Sequence, residues 1–277
     1  MNARYLATTH EPLELFRALP GPTAIRDVQD LMTYPFFSLA KSKRRAPIAF
    51  RSGDVSVHVE GTAEHGIATI WDADILLWTA SHIVQARDAG VRTSRRIGAT
   101  PREILMFIRR GTSMRDYQRL KAALDRLQST SVATSLRQGD NRRLHRFSWI
   151  NEWKELATAS GTPLGLELVL PDWFYGAVTD PSRVLTIHPG YFALTGGIER
   201  WLYRLVRKHV GAQKQGWRFD IPFLHRKSGS MARLSDFALD LRRIAERQSL
   251  PGYRIRLVHK SSIESLSIHP CAVHGTV

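Results

Sequence analysis

Cysteine is almost absent from this chain: Cys271 is the single one among 277 residues. One thiol can neither close an internal disulfide nor build a thiolate zinc site, so a disulfide-stapled secreted scaffold is excluded and a reducing compartment fits best. Long apolar runs are absent too. No stretch approaches the roughly 18 uninterrupted apolar residues of a spanning helix, and Met1 to Phe16 lack the apolar core of about 7 to 15 residues that a leader needs. The expectation is a soluble, cytoplasmic protein. Catalytic signatures are equally scarce. Lys227-Ser228 follows Arg226 rather than the glycine of a phosphate-binding loop, and none of the 11 histidines forms His-x-His or His-x-x-Arg. ATP hydrolysis, metal-dependent nicking and tyrosine-recombinase chemistry thus lack their residues, which predicts a protein that is no enzyme and takes no cofactor. His269, Cys271 and His274 are three ligand types on a short tail, read as incidental rather than as a metal site.

Positive charge is what the chain has in excess. Forty Lys and Arg stand against 25 Asp and Glu, a formal charge of +15, while 43% hydrophobic residues suffice for a real core. The length favours two domains. The excess is uneven: residues 87–146 carry +10 and residues 200–260 carry +11, whereas 1–86, 147–199 and 261–277 carry −1, −4 and −1. Two basic blocks around an acidic spacer indicate a polyanionic partner met by two surfaces.

Residues 1–33 show no sustained period and contain Leu19-Pro20-Gly21-Pro22, so they are expected to be a mobile arm. Ile48 to Phe50, Val55 to Val59 and Ile67 to Ile70 look like strands, the first two joined at Ser52-Gly53-Asp54. Asp72 can cap a helix to Ala89. Thr100, Pro101 and Glu103 open another helix with a capping box, and Ser113 with Asp116 opens a third, running to Gln128. In that third helix Tyr117, Leu120, Leu124 and Leu127 form one apolar stripe, with Arg115, Gln118 and Arg119 opposite it. Strands are expected at Ser131 to Leu136 and Leu144 to Trp149, around Gln138-Gly139-Asp140-Asn141. Two helices at a tight turn, followed by a hairpin with a basic tip, have the outline of a winged helix.

The second basic block has a similar order. A helix is expected after Pro189 to Val210, with Arg200, Arg204 and Arg207 largely outward, then a short helix over Asp220 to His225. The turn Lys227-Ser228-Gly229-Ser230 leads to a helix bearing Leu234, Phe237, Leu241 and Ile244, and strands follow at Tyr253 to Val258 and Ile263 to Ile268. First-to-third helix starts fall 41 and 40 residues apart, which suggests a pseudo-repeat. Arg reads guanine and Gln reads adenine through paired hydrogen bonds, so Arg115, Gln118 and Arg119 are base-contact candidates in a major groove. Arg126, Arg142 and Arg143 are candidates for phosphate, and Lys121 and Arg137 are further DNA-binding candidates. In the second block the DNA candidates are Lys227, Ser230, Arg233, Ser235, Arg243 and Arg247.

Several ordered runs resemble the RepA-type plasmid replication initiators, the replication initiator protein A family. They include Pro35-Phe36-Phe37-Ser38-Leu39, Ile67-Ala68-Thr69-Ile70-Trp71-Asp72, Asp116-Tyr117-Gln118-Arg119-Leu120 and Phe147-Ser148-Trp149-Ile150-Asn151-Glu152-Trp153. Leu170-Pro171-Asp172-Trp173-Phe174, Leu194-Thr195-Gly196-Gly197-Ile198-Glu199-Arg200-Trp201 and Ser235-Asp236-Phe237-Ala238 continue them, so the likeness covers residues 34–269. It implies an α+β protein of two tandem winged-helix domains, over 34–158 and 164–270, between an arm at 1–33 and a tail at 271–277. It further implies binding to double-stranded origin repeats (iterons), opening of the origin and recruitment of host replication initiator and helicase proteins; initiators of related design switch between a repressing homodimer and an initiating monomer, and both states stay open for this chain. A winged-helix transcriptional regulator or autorepressor is the alternative.

Overall fold

The computed structural model is a mixed α+β structure and describes residues 14–271, apart from 138–143, 158, 160–162, 212, 214 and 261–262. Its first described segments correct the expectation of a mobile arm. β1 (Leu15–Arg17) pairs in parallel with Arg96–Gly98, and β2 (Arg26–Val28) runs into the short α1 (Gln29–Thr33). Phe16, Val28, Leu31 and Met32 are buried, and burying four large apolar side chains holds a segment that has no period of its own.

β3 (Ile48–Ser52) and β4 (Val55–Glu60) form the expected hairpin. Ile67 to Ile70 is no strand: apart from an isolated bridge between Ser38 and Thr69, it turns into the next helix. α2 (Ala73–Asp88) is buried on nearly every side, 13 of its 16 residues being enclosed, as a helix apolar all round requires. Asp72 does not cap it. Its carboxylate accepts from the Thr69 amide at 2.7 Å and from the Arg126 guanidinium at 2.8 and 2.7 Å. After β5 (Arg96–Ala99) come α3 (Pro101–Phe107) and α4 (Met114–Ser129), each opened by the predicted capping box.

β6 (Ser131–Thr134) and β7 (His145–Ser148) pair as expected, but they extend the β3–β4 hairpin into a four-stranded sheet in the order β3-β4-β6-β7. The turn at 138–143 lies outside the described residues. The strands that join β5 are β8 (Glu152–Ala157) and β9 (Pro163–Val169), neither of them expected, in the sheet order β1-β5-β9-β8. A domain boundary between 158 and 164 therefore falls inside a paired hairpin. α5 (Asp172–Thr179) packs on α2, and β10 (Val184–Thr186) pairs antiparallel with β2, so the chain recrosses its own beginning before the second half starts.

The predicted helix after Pro189 is divided. Pro189–Ala193 is a 3₁₀ turn whose Gly190 amide donates to His188, and α6 (Gly197–His209) starts only after it. A side chain at Gly197 would lie 1.9 Å from the Leu39 carbonyl, so a glycine there lets the start of α6 press against the first half. β11 (Trp217–Asp220), α7 (Ile221–Ser228), α8 (Leu234–Arg247), β12 (Tyr253–Lys260) and β13 (Ile263–Pro270) complete the described chain. α8 begins four residues later than expected. The first-to-third helix offset is consequently 37 residues, from 197 to 234, against 41 in the first half, from 73 to 114.

The equivalence between the halves lies in topology rather than spacing. Each runs helix, strand, helix, helix, strand, strand, and the three strands hydrogen-bond in the order first, third, second: β5-β9-β8 and β11-β13-β12, antiparallel throughout. In the first half the β6–β7 hairpin is inserted between the third helix and the second strand. One continuous apolar cluster runs through both halves.

Candidate nucleic-acid interface

α4 separates its faces cleanly. Leu120, Leu124 and Leu127 are buried and Tyr117 half-buried, while Arg115, Gln118 and Arg119 are exposed on the other side, as the helical period requires. Met114, the first residue of the helix, is 75% exposed. The amides of Ser113 and Asp116 are satisfied by each other's side chains, and the Ser113 hydrogen bonds hold the Asp116 carboxyl below its ordinary value. The helix start is thereby fixed while its exposed side chains stay uncommitted. The one ion pair on this face, Arg119 to Asp116 at 3.4 Å, is exposed and weak.

The other DNA candidates of the first half fare differently. Arg126 is tied to Asp72 through two hydrogen bonds, and those bonds raise its pKa. Arg137 is half-buried rather than presented at a hairpin tip. Its Nε donates to Asp30 at 2.6 Å, its Nη1 to the Trp173 carbonyl, and its guanidinium lies 3.7 Å from the Trp173 ring centre. Both side chains therefore hold elements together. Lys121 meets Glu155 on β8 at 2.7 Å, both partly exposed. Arg142 and Arg143 lie outside the described residues.

In the second half α8 buries Phe237, Leu241 and Ile244 and exposes Arg233, Leu234 and Ser235 at its beginning. Arg243 pairs with Asp240 at 3.6 Å and Arg247 with Glu199 at 3.8 Å. Both are far from the helix start, where base readers usually sit. Ser230 shapes the turn, accepting from the Ala232 amide at 3.2 Å. Lys227 points inward: its ammonium lies 4.6 Å from the Tyr34 ring and 5.3 Å from Phe50, and burial pushes its pKa down. It fastens the α7–α8 turn to the first half, a cation–π role in place of the expected phosphate contact.

The largest error concerns α6. Arg200 and Arg204, expected outward, are 4% and 1% exposed. Arg204 donates to Asp27 at 2.6 and 2.9 Å, and Arg200 to Asp74 at 2.8 and 2.9 Å. Burial alone would lower the Arg204 pKa; the Asp27 carboxylate, together with Tyr191 and Asp74, holds the group above its ordinary value. Two of the 15 positive charges of this block are thus neutralised inside the molecule.

Two exposed basic features escaped the sequence reading. Lys41-Ser42-Lys43-Arg44-Arg45 holds four bases in five residues, but the acidic residues elsewhere in 1–86 hid it in a net charge of −1. On β12, Arg254 and Arg256 are exposed and alternate with buried Tyr253 and Ile255, a pattern that the strand's period of two could have revealed.

Comparison with known proteins adds the context. The family described as Replication initiator protein A matches residues 26–255. A protein of Wigglesworthia glossinidia brevipalpis, named for replication, is 33% identical over 229 residues, which span 81% of this chain and 82% of that one. Among solved structures, crystals of domains 2 and 3 of RctB superpose with TM-scores of 0.64 and 0.57 at 13% identity, covering 87% and 86% of this chain and 98% and 95% of theirs. That likeness is one of fold. No described helix is long and apolar enough to cross a membrane.

Proposed function

The chain belongs to the replication initiator protein A family, and from this premise we propose that it is a sequence-specific double-stranded DNA-binding initiator built from two winged helices. The supporting topology is the repeated helix–strand–helix–helix–strand–strand order with its strands paired first, third, second. In this reading α4 and α8 are the reading helices and the wings are the β8–β9 and β12–β13 hairpins. The β6–β7 hairpin, predicted as the first wing, is then an insertion beside it.

The observation that carries the function is the exposed beginning of α4. Arg115 and Gln118 offer the two side chains best suited to guanine and adenine, on a helix backed by a buried leucine stripe. Met114 and, on α8, Leu234 stand where an apolar contact to a thymine methyl would be made. Arg254 and Arg256 on the second wing suit phosphate. The target is an origin repeat, and the later steps are origin opening, recruitment of host initiator and helicase, and control by dimerisation. These events need no catalytic group of the protein's own and belong in the bacterial cytoplasm.

Supplying the protein in trans to a plasmid that carries its cognate repeats tests this directly. Maintenance of that plasmid, and loss of maintenance with Arg115→Ala plus Gln118→Ala, is expected. Specific binding without maintenance would leave a transcriptional regulator instead.

A further inference from the structure

Between the two reading helices stands the basic loop 41–45. On one side of it opens a cavity of about 710 Å3, lined by Lys41, Lys43, Trp71, Arg119, Arg126 and Arg200. On its other side a cavity of about 450 Å3 is walled by Arg45, Ile198, Ser230 and Met231, at the turn before α8. The loop is held firmly. Arg44 donates to the carbonyls of Gly229 at 2.6 Å, Ala46 at 2.9 Å and Pro47 at 3.0 Å, and its own carbonyl accepts from the Ile67 amide at 2.9 Å. Lys43 donates to the Glu64 carbonyl. Gly229 has φ +64°, and a side chain there would lie 2.9 Å from Pro35 and 3.1 Å from Ile48, so the α7–α8 turn sits directly on the residues that flank this loop.

The cations around the larger cavity divide into two sets. Arg126 is paired with Asp72, while buried Arg200 and the more exposed Arg110 share the single carboxylate of Asp74 at 2.8 and 3.2 Å. Lys41 and Lys43 have no acidic partner among the described residues, and Arg119 has only its exposed contact to Asp116. Three cations without a buried carboxylate partner, one of them oriented by the Glu64 carbonyl, make a site around an open cavity for an anion with several oxygens. We propose that Lys41, Lys43 and Arg119 form a phosphate seat that takes a backbone phosphate of the duplex lying between α4 and α8. This rests on the DNA-reading function proposed above and deepens it.

Geometry favours a duplex over a free nucleotide. Arg119 shares the exposed face of α4 with Arg115 and Gln118, so the seat is continuous with the reading surface. The Trp71 ring, the exposed-side aromatic of the cavity, already carries the Lys41 ammonium 5.6 Å from its centre, where a base would otherwise stack. Arg119, a base-contact candidate by sequence, becomes a backbone contact, and the seat sets the distance between the two reading helices along the groove.

The test uses the full chain, a cognate repeat duplex and an unrelated duplex of equal length. With Lys41→Gln plus Lys43→Gln, the slope of log affinity against log salt should fall by about one unit on both duplexes, as expected for one lost phosphate contact, with base preference unchanged. Lys41→Arg plus Lys43→Arg should restore the slope, which a folding defect would not permit. Arg119→Ala should weaken all sequences alike. An unchanged slope overturns the seat, as does a loss confined to one base position on replacing Arg119. Protection of the wild type against heat by ATP or tripolyphosphate, lost in the double variant while the slope stays constant, would also overturn it in favour of a free phosphate compound. A wild type that bound both duplexes equally would defeat the sequence-reading function while leaving the slope measurement to judge the seat.

Discussion

The two halves share a topology and nearly the same excess of charge, +10 and +11, yet they deploy it in opposite ways. In the first, arginine stands free at the start of the reading helix, and the capping box of Ser113 and Asp116 fixes that start. In the second, Arg200 and Arg204 are buried against aspartates of the first half, and Arg242, Arg243 and Arg247 each face a carboxylate. α8 begins at Arg233 without a side-chain cap. Much of the second half's charge therefore serves cohesion, as Arg126 and Lys121 of α4 also do, whereas Arg115 at the start of α4 remains available for recognition. A net charge measures neither until the partners are known.

The sharpest way to break this comparison is to remove a buried cation. Arg204→Ala strands Asp27, 1% exposed, without its partner, and should cost about 3–5 kcal/mol in urea unfolding. Replacing both residues by leucine should recover most of that loss, because two neutral apolar groups leave no uncompensated charge. A cost below about 1 kcal/mol for the single variant would show that the pair is not what joins the halves.

Removing an exposed cation from each reading helix sharpens the contrast. Arg115→Ala should cost about 1–3 kcal/mol at one base position of the repeat, measured by binding to single-base variants. Arg243→Ala, on the second reading helix, should change affinity by no more than about 0.5 kcal/mol for any sequence. Equal effects would mean that both helices read bases with their arginines.

The smallest effect concerns the caps. Ser113→Ala should lower thermal stability by about 1 kcal/mol, while Arg233→Ser should raise it by a few tenths to 1 by giving α8 the cap it lacks. If Arg233→Ser failed to stabilise, or Ser113→Ala were neutral, local capping would not distinguish the two helix starts.

Elements whose signals are local were legible. The capping boxes at Thr100 and Ser113 involve residues three apart, and the stripe of α4 repeats within two turns, so both are written in adjacent sequence. β5 was not legible: it is only Arg96-Ile97-Gly98-Ala99, too short and too weakly alternating to stand out, and it exists because β1 and β9 flank it. β8, reading Glu-Trp-Lys-Glu-Leu-Ala, likewise has no strong period, and without it the β6–β7 hairpin was the one wing in view. The reading face on α4 was foreseeable because an apolar stripe defines its own opposite. The basic loop at 41–45 was missed because counting over 86 residues averaged it away.

The sequence alone determined where α2, α3, α4 and α7 start, which face of α4 is apolar and that two basic blocks exist, since these depend on residues within one or two turns. Tertiary structure decided which charges remain charges to a partner. Arg126 meets Asp72 across 54 residues and Arg204 meets Asp27 across 177. An ion pair of that separation leaves no mark in local spacing, because only the folded packing brings its two halves within hydrogen-bond distance.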